Sequence, residues 1–306
     1  MSTTRGVHGR KSRRDMSALP SLSIIIVNYN TADLLPACLD SVMAQSDQWQ
    51  RLFVVDNNST DDSVAVIKQR YPLVELIDNH ENVGFGTANN QAAEKCESDL
   101  LFLLNPDTVL HPKCLVNMRE YMHHHGRVGL GGIKMINYHG QVHDTIEHDY
   151  PGEHYSKRLF ATLPGSIAWV LGAGMVVRKE VMNSVNGFDE HFFLYGEDID
   201  LCLRIRRAGW EIGFIEEAAI THLEGQSERN VAPLSVFEKK MKAQVQFLTK
   251  HYPINVQRKI GRARLIQAVW RIFCLSCLPA SPEHKLRNQM KLEQYRIALR
   301  LYRSII

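Results

Sequence analysis

Cysteine is scarce in this chain: six in 306 residues, at positions 38, 96, 114, 202, 274 and 277. So few thiols, so unevenly spaced, make no disulfide framework, and the expected compartment is reducing. The N-terminus, MSTTRGVHGRKSRRD, is charged but has no apolar stretch, so it does not read as a signal peptide. Long hydrophobic runs are missing too. The most apolar late segment, Leu265–Ala280, is 16 residues with Arg271 inside it, short of the roughly 20 that a spanning helix needs. No Gly-x-Ser-x-Gly elbow and no phosphate-loop motif occurs, and no internal repeat is visible. Cys274-x-x-Cys277 lacks a second ligand pair and sits among apolar residues, so packing is expected there rather than zinc.

What is present is the composition of a globular protein. Hydrophobic residues make up 44% and charged residues 23%, which excludes a disordered or collagen-like chain. The net charge is +3, but residues 1–21 balance to +4 and residues 255–306 to +9, leaving −10 for the middle. An acidic body with basic ends is not a nucleic-acid reader, whose basic footprint lies on its folded domain. Basic ends beside Trp and Leu suit an anionic membrane surface.

The first 107 residues alternate. Leu22–Val27 is a β-branched run that reads as a strand buried on both faces. A helix is expected from about Ala32 to Ala44, a strand over Arg51–Val55, and a helix capped by Thr60 and ending near Tyr71. A strand at Val74–Asp78, a helix across Asn89–Cys96 and a strand at Leu100–Leu104 follow. Such alternation predicts a parallel, doubly wound sheet with right-handed crossovers. Residues 140–165, rich in His, Pro and Gly, read as a flexible loop or insertion, and the chain turns helical and basic after about Lys239. The expected organisation is a basic tail over 1–20, a catalytic domain over 21–250 and a basic helical extension over 251–306.

In open α/β sheets, ligands bind at the carboxyl ends of the strands. Three polar clusters fall there: Asn28-Tyr29-Asn30, Asp56-Asn57-Asn58 and Asn105-Pro106-Asp107. Each has a bland reading as turn chemistry, but three on one edge point to a site. Asp107 ends a rigid apolar strand and is placed to hold Mg²⁺ or Mn²⁺ against a diphosphate. Asp56, an acceptor only, suits the imide N–H of a pyrimidine. Gly84 and Gly86 allow close approach of a nucleotide to the backbone. Farther on, Glu197, Asp198 and Asp200 open a helix below the aromatic Phe192, Phe193 and Tyr195. One of these carboxylates could serve as a general base to a hydroxyl, with Arg204 as a structural ion-pair partner of one of them. His222 follows an apolar run and reads on its own as an ordinary polar residue. His143, Asp144, Glu147 and His148 are metal-binding residue types in a low-order loop, and His123–His125 reads as a solvated helix end.

With these residues in hand, the chain resembles the family-2 glycosyltransferases of the GT-A fold, and among them the bacterial rhamnosyltransferase-type members. The matching strings are IIIVNYN, VVDNNSTDDS, NVGFGTANN, LLNPDTVL, LGAGMVVRKEV, GFDEHFFLYGEDIDLCLRIRRAGW and ITHLEGQS, in that order between about Leu22 and Ser227. The resemblance implies that Asp56 contacts the base and that Asn28 and Gly84 line the nucleotide pocket. It implies that Asp107 is the last position of an Asp-x-Asp metal motif, that His222 completes the metal site and that Asp198 is the general base, with Glu197 and Arg204 in acceptor or support roles. Asn105 departs from the pattern, where many members have Asp, so one carboxylate fewer is available to the metal.

The implied activity is inverting transfer of a sugar from a nucleoside-diphosphate donor to a saccharide or lipid-linked hydroxyl in cell-surface polysaccharide synthesis. The donor is expected to be dTDP- or UDP-linked, with rhamnose the first expectation for the sugar. Mg²⁺ or Mn²⁺ is the expected cofactor, and no nucleic-acid partner is expected. The expected location is cytoplasmic, peripheral at the inner face of the plasma membrane, with Trp270, Phe273, Leu275 and Leu278 beside Arg262, Arg264 and Arg271 as an interfacial helix. A helical cap packed on the catalytic domain explains the same residues. Two other functions stay open: a sugar-nucleotide nucleotidylyltransferase, disfavoured because NYNTADLL holds no Gly, Lys or Arg, and a non-catalytic membrane-surface protein retaining the fold.

Overall fold

The computed structural model describes residues 18–143, 145–223, 232–277 and 282–306. Most of the basic tail, Asp144, the string Glu224-Gly225-Gln226-Ser227 and Leu278 lie outside the described residues. In chain order the elements are β1 (Leu22–Asn28), α1 (Leu35–Met43), β2 (Arg51–Asp56), α2 (Ser63–Arg70), β3 (Val74–Asp78), α3 (Phe85–Glu94) and β4 (Leu100–Leu104). Then come β5 (Thr108–Leu110), α4 (Cys114–His124), β6 (Val128–Ile136), β7 (Val142–His143), β8 (Ile146–Glu147), β9 (Trp169–Val170) and β10 (Gly174–Arg178). The chain continues with α5 (Lys179–Ser184), α6 (Glu197–Arg207), β11 (Glu211–His222), α7 (Pro233–His251), α8 (Ile254–Cys277) and α9 (Pro282–Tyr302).

The main sheet runs β3-β2-β1-β4-β10-β6-β11-β5, with β7 added beside β6. The β3-β2-β1-β4 half is wholly parallel, as the alternation predicted. Beyond β4 the sheet is mixed: β10 is antiparallel to both β4 and β6, and β5 is antiparallel to β11. Because β1 pairs with β2 on one side and β4 on the other, the order reverses at β1, and the carboxyl ends of these parallel strands lie along one sheet edge, the edge at which open α/β sheets bind ligands. Every residue of β1 and of β4 is buried, which is why both read as continuous apolar runs rather than alternating ones.

Three apolar clusters hold the layers. One face of the sheet packs on α1, α2 and α4 through Leu35, Leu39, Ile67 and Met118. The other packs on α3, α5 and α6 through Ala88, Ala92, Val181 and Leu201. The third joins Phe192 and Leu203 of the α6 region to Phe247, Tyr252, Ile260 and Tyr302 of the C-terminal helices. Tyr150 and Phe160 belong to that third cluster, both almost fully buried. The 140–165 segment is thus irregular but anchored, with β8 and β9 forming a small second sheet.

Several boundaries differ from the sequence expectation. α2 starts at Ser63, and Thr60 does not cap it; the Thr60 backbone N–H instead donates to Asn30 Oδ1 at 2.7 Å. α3 starts at Phe85 rather than Asn89, because Gly84 at φ +87° sets the turn just before it. Cys277 is exposed and Cys274 half-buried, so they are not core residues. The 250 position falls inside α7, and residues on both sides of it share the third cluster.

Candidate active site

The polar loops after β1, β2 and β3 are stitched together by side chains. Asn28 and Asp56 stand opposite each other in the parallel register of β1 and β2. The Asn28 amide donates to Asp56 Oδ1 at 2.7 Å and to Ser59 Oγ at 3.1 Å, and its carbonyl oxygen accepts from Thr31 Oγ1 at 2.5 Å. Asp56 Oδ2 accepts the Ser59 backbone N–H at 2.8 Å. Both Asn28 and Asp56 are fully buried, so the Asn28 amide is committed to holding Asp56 in place.

Gly84 belongs to the same web. Its carbonyl accepts from Asn57 Nδ2 at 3.1 Å, and its N–H donates to Asn82 Oδ1 at 3.0 Å. A Cβ at Gly84 would lie 2.6 Å from the Phe193 carbonyl oxygen. That same carbonyl accepts the Phe85 N–H at 3.0 Å. In this structure, close approach of the Phe193 backbone is what requires glycine at 84. Asn57, named with the Asp56 cluster, carries this web together with Asn79 and Asn82, which sequence reasoning did not single out; their position past the end of β3 was the available signal.

Asp107 and His222 are brought together by β5 and β11. The register pairs Thr108 with His222, and the Leu223 N–H donates to the Asp107 carbonyl at 3.0 Å. His222 Nε2 lies 3.3 Å from Asp107 Oδ1. Asp107 is buried, and its Oδ1 has no hydrogen-bond partner among the described residues. An acceptor left bare inside a protein costs about 1–3 kcal/mol, and a cation would satisfy it. One hard carboxylate oxygen beside one imidazole nitrogen is a donor set that suits Mn²⁺ and accommodates Mg²⁺. No group of three His, Cys, Asp or Glu is placed to hold a metal among the described residues. A metal here would have two protein ligands and open positions. His143, Glu147 and His148 form no such group either.

Asp198 reaches the same strand ends through one short loop. Its Oδ2 accepts the Gly172 N–H at 3.2 Å and its Oδ1 the Ile199 N–H at 2.8 Å. Ala173, the next residue, accepts the Asn105 N–H at 3.0 Å. The α6 terminus and the β4 end that carries Asp107 are therefore two hydrogen bonds apart. Gly172 had no signal of its own in the sequence.

The three acids that open α6 sit in opposite electrostatic settings. Burial, reinforced by the charge of Asp198, pushes Glu197 up to about 8. Glu197 Oε2 is buried without a hydrogen-bond partner among the described residues. Burial also raises Asp198, although backbone N–H groups oppose the shift. Burial acts the same way on Asp200, but hydrogen bonds from His251 and Lys250 and the charge and hydrogen bond of Arg204 outweigh it and hold Asp200 below the ordinary carboxylate range. Arg204 Nε donates to Asp200 Oδ2 at 2.7 Å, and His251 Nε2 and Lys250 Nζ reach Oδ1 at 2.7 and 2.5 Å. Arg204 also clamps the Val185 and Gly187 carbonyls at 2.6 and 2.7 Å. It pairs with Asp200 and not with Glu197 or Asp198. A cavity of about 740 Å³ beside α3 and α5 touches Arg204 and Lys250, but none of Asn28, Asp56, Asp107, Asp198 or His222 lines it. Convergence of strand ends, not volume, marks the site.

Comparison with known proteins identifies the family and the fold. The family described as "Glycosyltransferase like family 2" matches residues 20–246. The N-acetylglucosaminyl-diphospho-decaprenol L-rhamnosyltransferase of Mycobacterium tuberculosis strain H37Rv is 26% identical over 236 residues, covering 67% of this chain and 77% of that protein. Rhamnosyltransferase WbbL of Escherichia coli K12 is 27% identical over 230 residues, covering 68% and 85%. Among solved structures, the mannosyltransferase PcManGT from Pyrobaculum calidifontis, in complex with GDP-Man and Mn²⁺, superposes with a TM-score of 0.57 at 17% identity, over 95% of this chain and 75% of that one. The fold is GT-A, with helices added at the C-terminus, and the chain belongs to the family-2-like glycosyltransferases.

Proposed function

We propose that this glycosyltransferase performs inverting, single-displacement transfer of a sugar from a dTDP- or UDP-linked donor to a hydroxyl of a saccharide or lipid-linked acceptor in cell-surface polysaccharide synthesis. Rhamnose is the preferred sugar, because the relatives described above are named as rhamnosyltransferases, one of them acting on a diphospho-decaprenol. The observation that carries the reading is the convergence at the strand ends: Asp107 with its bare Oδ1, His222 against it, and Asp198 tied to the same edge through Gly172.

Each side chain then has a task. Asp56 retains lone pairs beyond those used by Asn28 and Ser59 and can accept the imide N–H of a uracil or thymine ring. Asn28 holds Asp56 in place, and Gly84 shapes the neighbouring wall. Asp107 and His222 are the residues that would hold Mg²⁺ or Mn²⁺, which supplies charge stabilisation for the departing diphosphate. Asp198 orients the acceptor hydroxyl and removes its proton as the oxygen bonds to C1 and the C1–phosphate oxygen bond breaks. A carboxylate near 3.9 is a weak base towards an alcohol, and burial that raises Asp198 strengthens it. Glu197, mostly protonated at neutral pH, keeps a second negative charge away from Asp198. Arg204 supports the site by fixing Asp200 and the 185–187 turn. A nucleotide-sugar donor and a lipid-linked acceptor place the enzyme on the cytoplasmic side, at the inner membrane face. No helix among the described residues is long and apolar enough to cross a membrane.

The test is Asp198→Asn. Transfer is expected to fall by about 10²–10⁴-fold, while donor binding, followed by the rise in melting temperature on adding nucleotide sugar, stays within about two-fold. Near-normal turnover in that variant would remove Asp198 from the mechanism.

A further inference from the structure

We infer that the exposed face shared by the second half of α8 and the first half of α9 is a bilayer-docking surface specific for anionic lipid. α8 has two unlike faces. Gln257, Ile260, Gly261 and Ala268 are buried against the protein. The opposite face reads Arg258, Arg262, Ile266, Val269, Trp270, Phe273 and Cys277, all exposed. Ile266 is 71% exposed, Trp270 63% and Phe273 59%. They recur at the i, i+3, i+4, i+7 spacing of one helix stripe. An apolar stripe of this kind turned to water is unfavourable by the apolar area it shows. The Trp270 and Phe273 rings lie 6.1 Å apart, nearly parallel, as one aromatic plate.

α9 extends the patch. It packs along α8, and the start of α8 meets the end of α9, where Gly261 lies against Tyr302 and Ile306. The two helices are therefore antiparallel, and the far half of α8 neighbours the near half of α9. There α9 exposes Leu286 and Met290, beside the exposed Lys285 and Arg287.

Charge selects the occupant. From Ile254 to Cys277 there is no Asp or Glu, and there are five Lys/Arg: Arg258, Lys259, Arg262, Arg264 and Arg271. A second copy of the same face would bring like charges together, whereas an anionic bilayer offers apolar depth for the aromatic plate and phosphates for the arginines above it. Trp suits the boundary between chain and headgroup, and Lys and Arg can extend their stems up to it. The surface rests on α8 and α9 alone. Its purpose, holding the transferase over a lipid-linked hydroxyl, rests on the proposed function above.

Cosedimentation with vesicles tests it, using the whole chain and no donor. The protein should pellet with phosphatidylglycerol vesicles and bind phosphatidylcholine vesicles at least about ten-fold more weakly. Arg258→Gln and Arg262→Gln should each weaken binding by about five-fold. The combined Trp270→Ser and Phe273→Ser variant should lose binding while its melting temperature stays unchanged. Emission should shift to the blue on phosphatidylglycerol, and Trp270→Phe should remove that shift. Failure to pellet with phosphatidylglycerol, or undiminished binding by the Ser variant, overturns the proposal. So does a concentration-dependent dimer that the Ser variant disperses. Vesicle binding involves no catalysis, so a failed Asp198→Asn test would leave it standing, and the converse holds.

Discussion

Glu197→Gln isolates the electrostatics of the candidate base. In the folded protein Glu197 holds its proton up to about 8, against 4.5 for an ordinary Glu, chiefly through burial and secondarily through Asp198. The folded state therefore binds more protons than the unfolded chain between those two values. Stability from this group is fully present below about 4.5 and is lost as pH rises through about 8. The slope is about 1.4 kcal/mol per pH unit for one proton. From pH 5 to 7 the parent should lose up to about 3 kcal/mol from this source. Glutamine keeps the shape and does not titrate. The melting temperature of Glu197→Gln minus that of the parent should therefore grow by about 3–6 °C between pH 5 and 7. Differential scanning fluorimetry in one buffer series at pH 5, 6, 7 and 8 measures the gap. A gap that stays constant across the series would refute the claim that Glu197 is buried without compensation.

Three other substitutions follow from the same geometry. His222→Ala removes one of two candidate metal ligands, so calorimetric titration of Mn²⁺ in the presence of nucleoside diphosphate should show affinity at least about ten-fold weaker; an unchanged titration would detach His222 from the metal. Gly84→Ala puts a Cβ 2.6 Å from the Phe193 carbonyl at φ +87° and ψ 167°, a region open to glycine alone, at about 2–4 kcal/mol; thermal unfolding within 1 °C of the parent would count against it. Asp200→Asn leaves Arg204 without its carboxylate, while Lys250 keeps Asp189, and should cost about 3 kcal/mol by urea unfolding at pH 7. Because Asp200 is held below the ordinary 3.8, that difference should shrink as pH falls below about 4, and a difference independent of pH would exclude the ion cluster as its source.

The parallel half of the sheet was legible because β1 and β4 are buried on both faces and so spell unbroken apolar runs. The strand-end carboxylates were legible for the same reason: Asp56 and Asp107 stand where such runs stop. The mixed half was harder to read. β5, β7, β8 and β9 are two or three residues long, too short for any period to show. Residues 140–165 read as loose because their anchor, Tyr150 and Phe160, packs on partners about a hundred residues later in the chain. Among site residues, the pairing of His222 with Asp107 came from family resemblance, since a lone histidine after a strand carries no pattern. Arg204 was foreseen as an ion-pair partner, but Lys250 and His251 were not. They join Asp200 only because α7 returns across α6, a long-range fact that local spacing does not encode.

That return sorts three neighbouring acids into two chemical states. Helix N-termini favour carboxylates by about 0.3–1 kcal/mol each, and this applies alike to Glu197, Asp198 and Asp200. The neighbouring side chains do not act alike. The Arg204 and Lys250 cations and the neutral His251 imidazole, whose proton affinity burial lowers, all converge on Asp200. The Arg207 guanidinium donates to His251 Nδ1 at 2.8 Å, which leaves Nε2 to carry the proton towards Asp200. Asp200 is thereby fixed as an anion, while Glu197 and Asp198 receive no cation among the described residues and have raised proton affinity. Environments that push neighbouring carboxyl groups apart are how one helix end can hold both a structural anion and a base. Had Lys250 of α7 faced Asp198 instead, the affinity of Asp198 for a proton would fall, and it would accept an alcohol proton less readily. For the proposed base role of Asp198, what matters is that Lys250 of α7 directs its positive charge to Asp200 and not to Asp198.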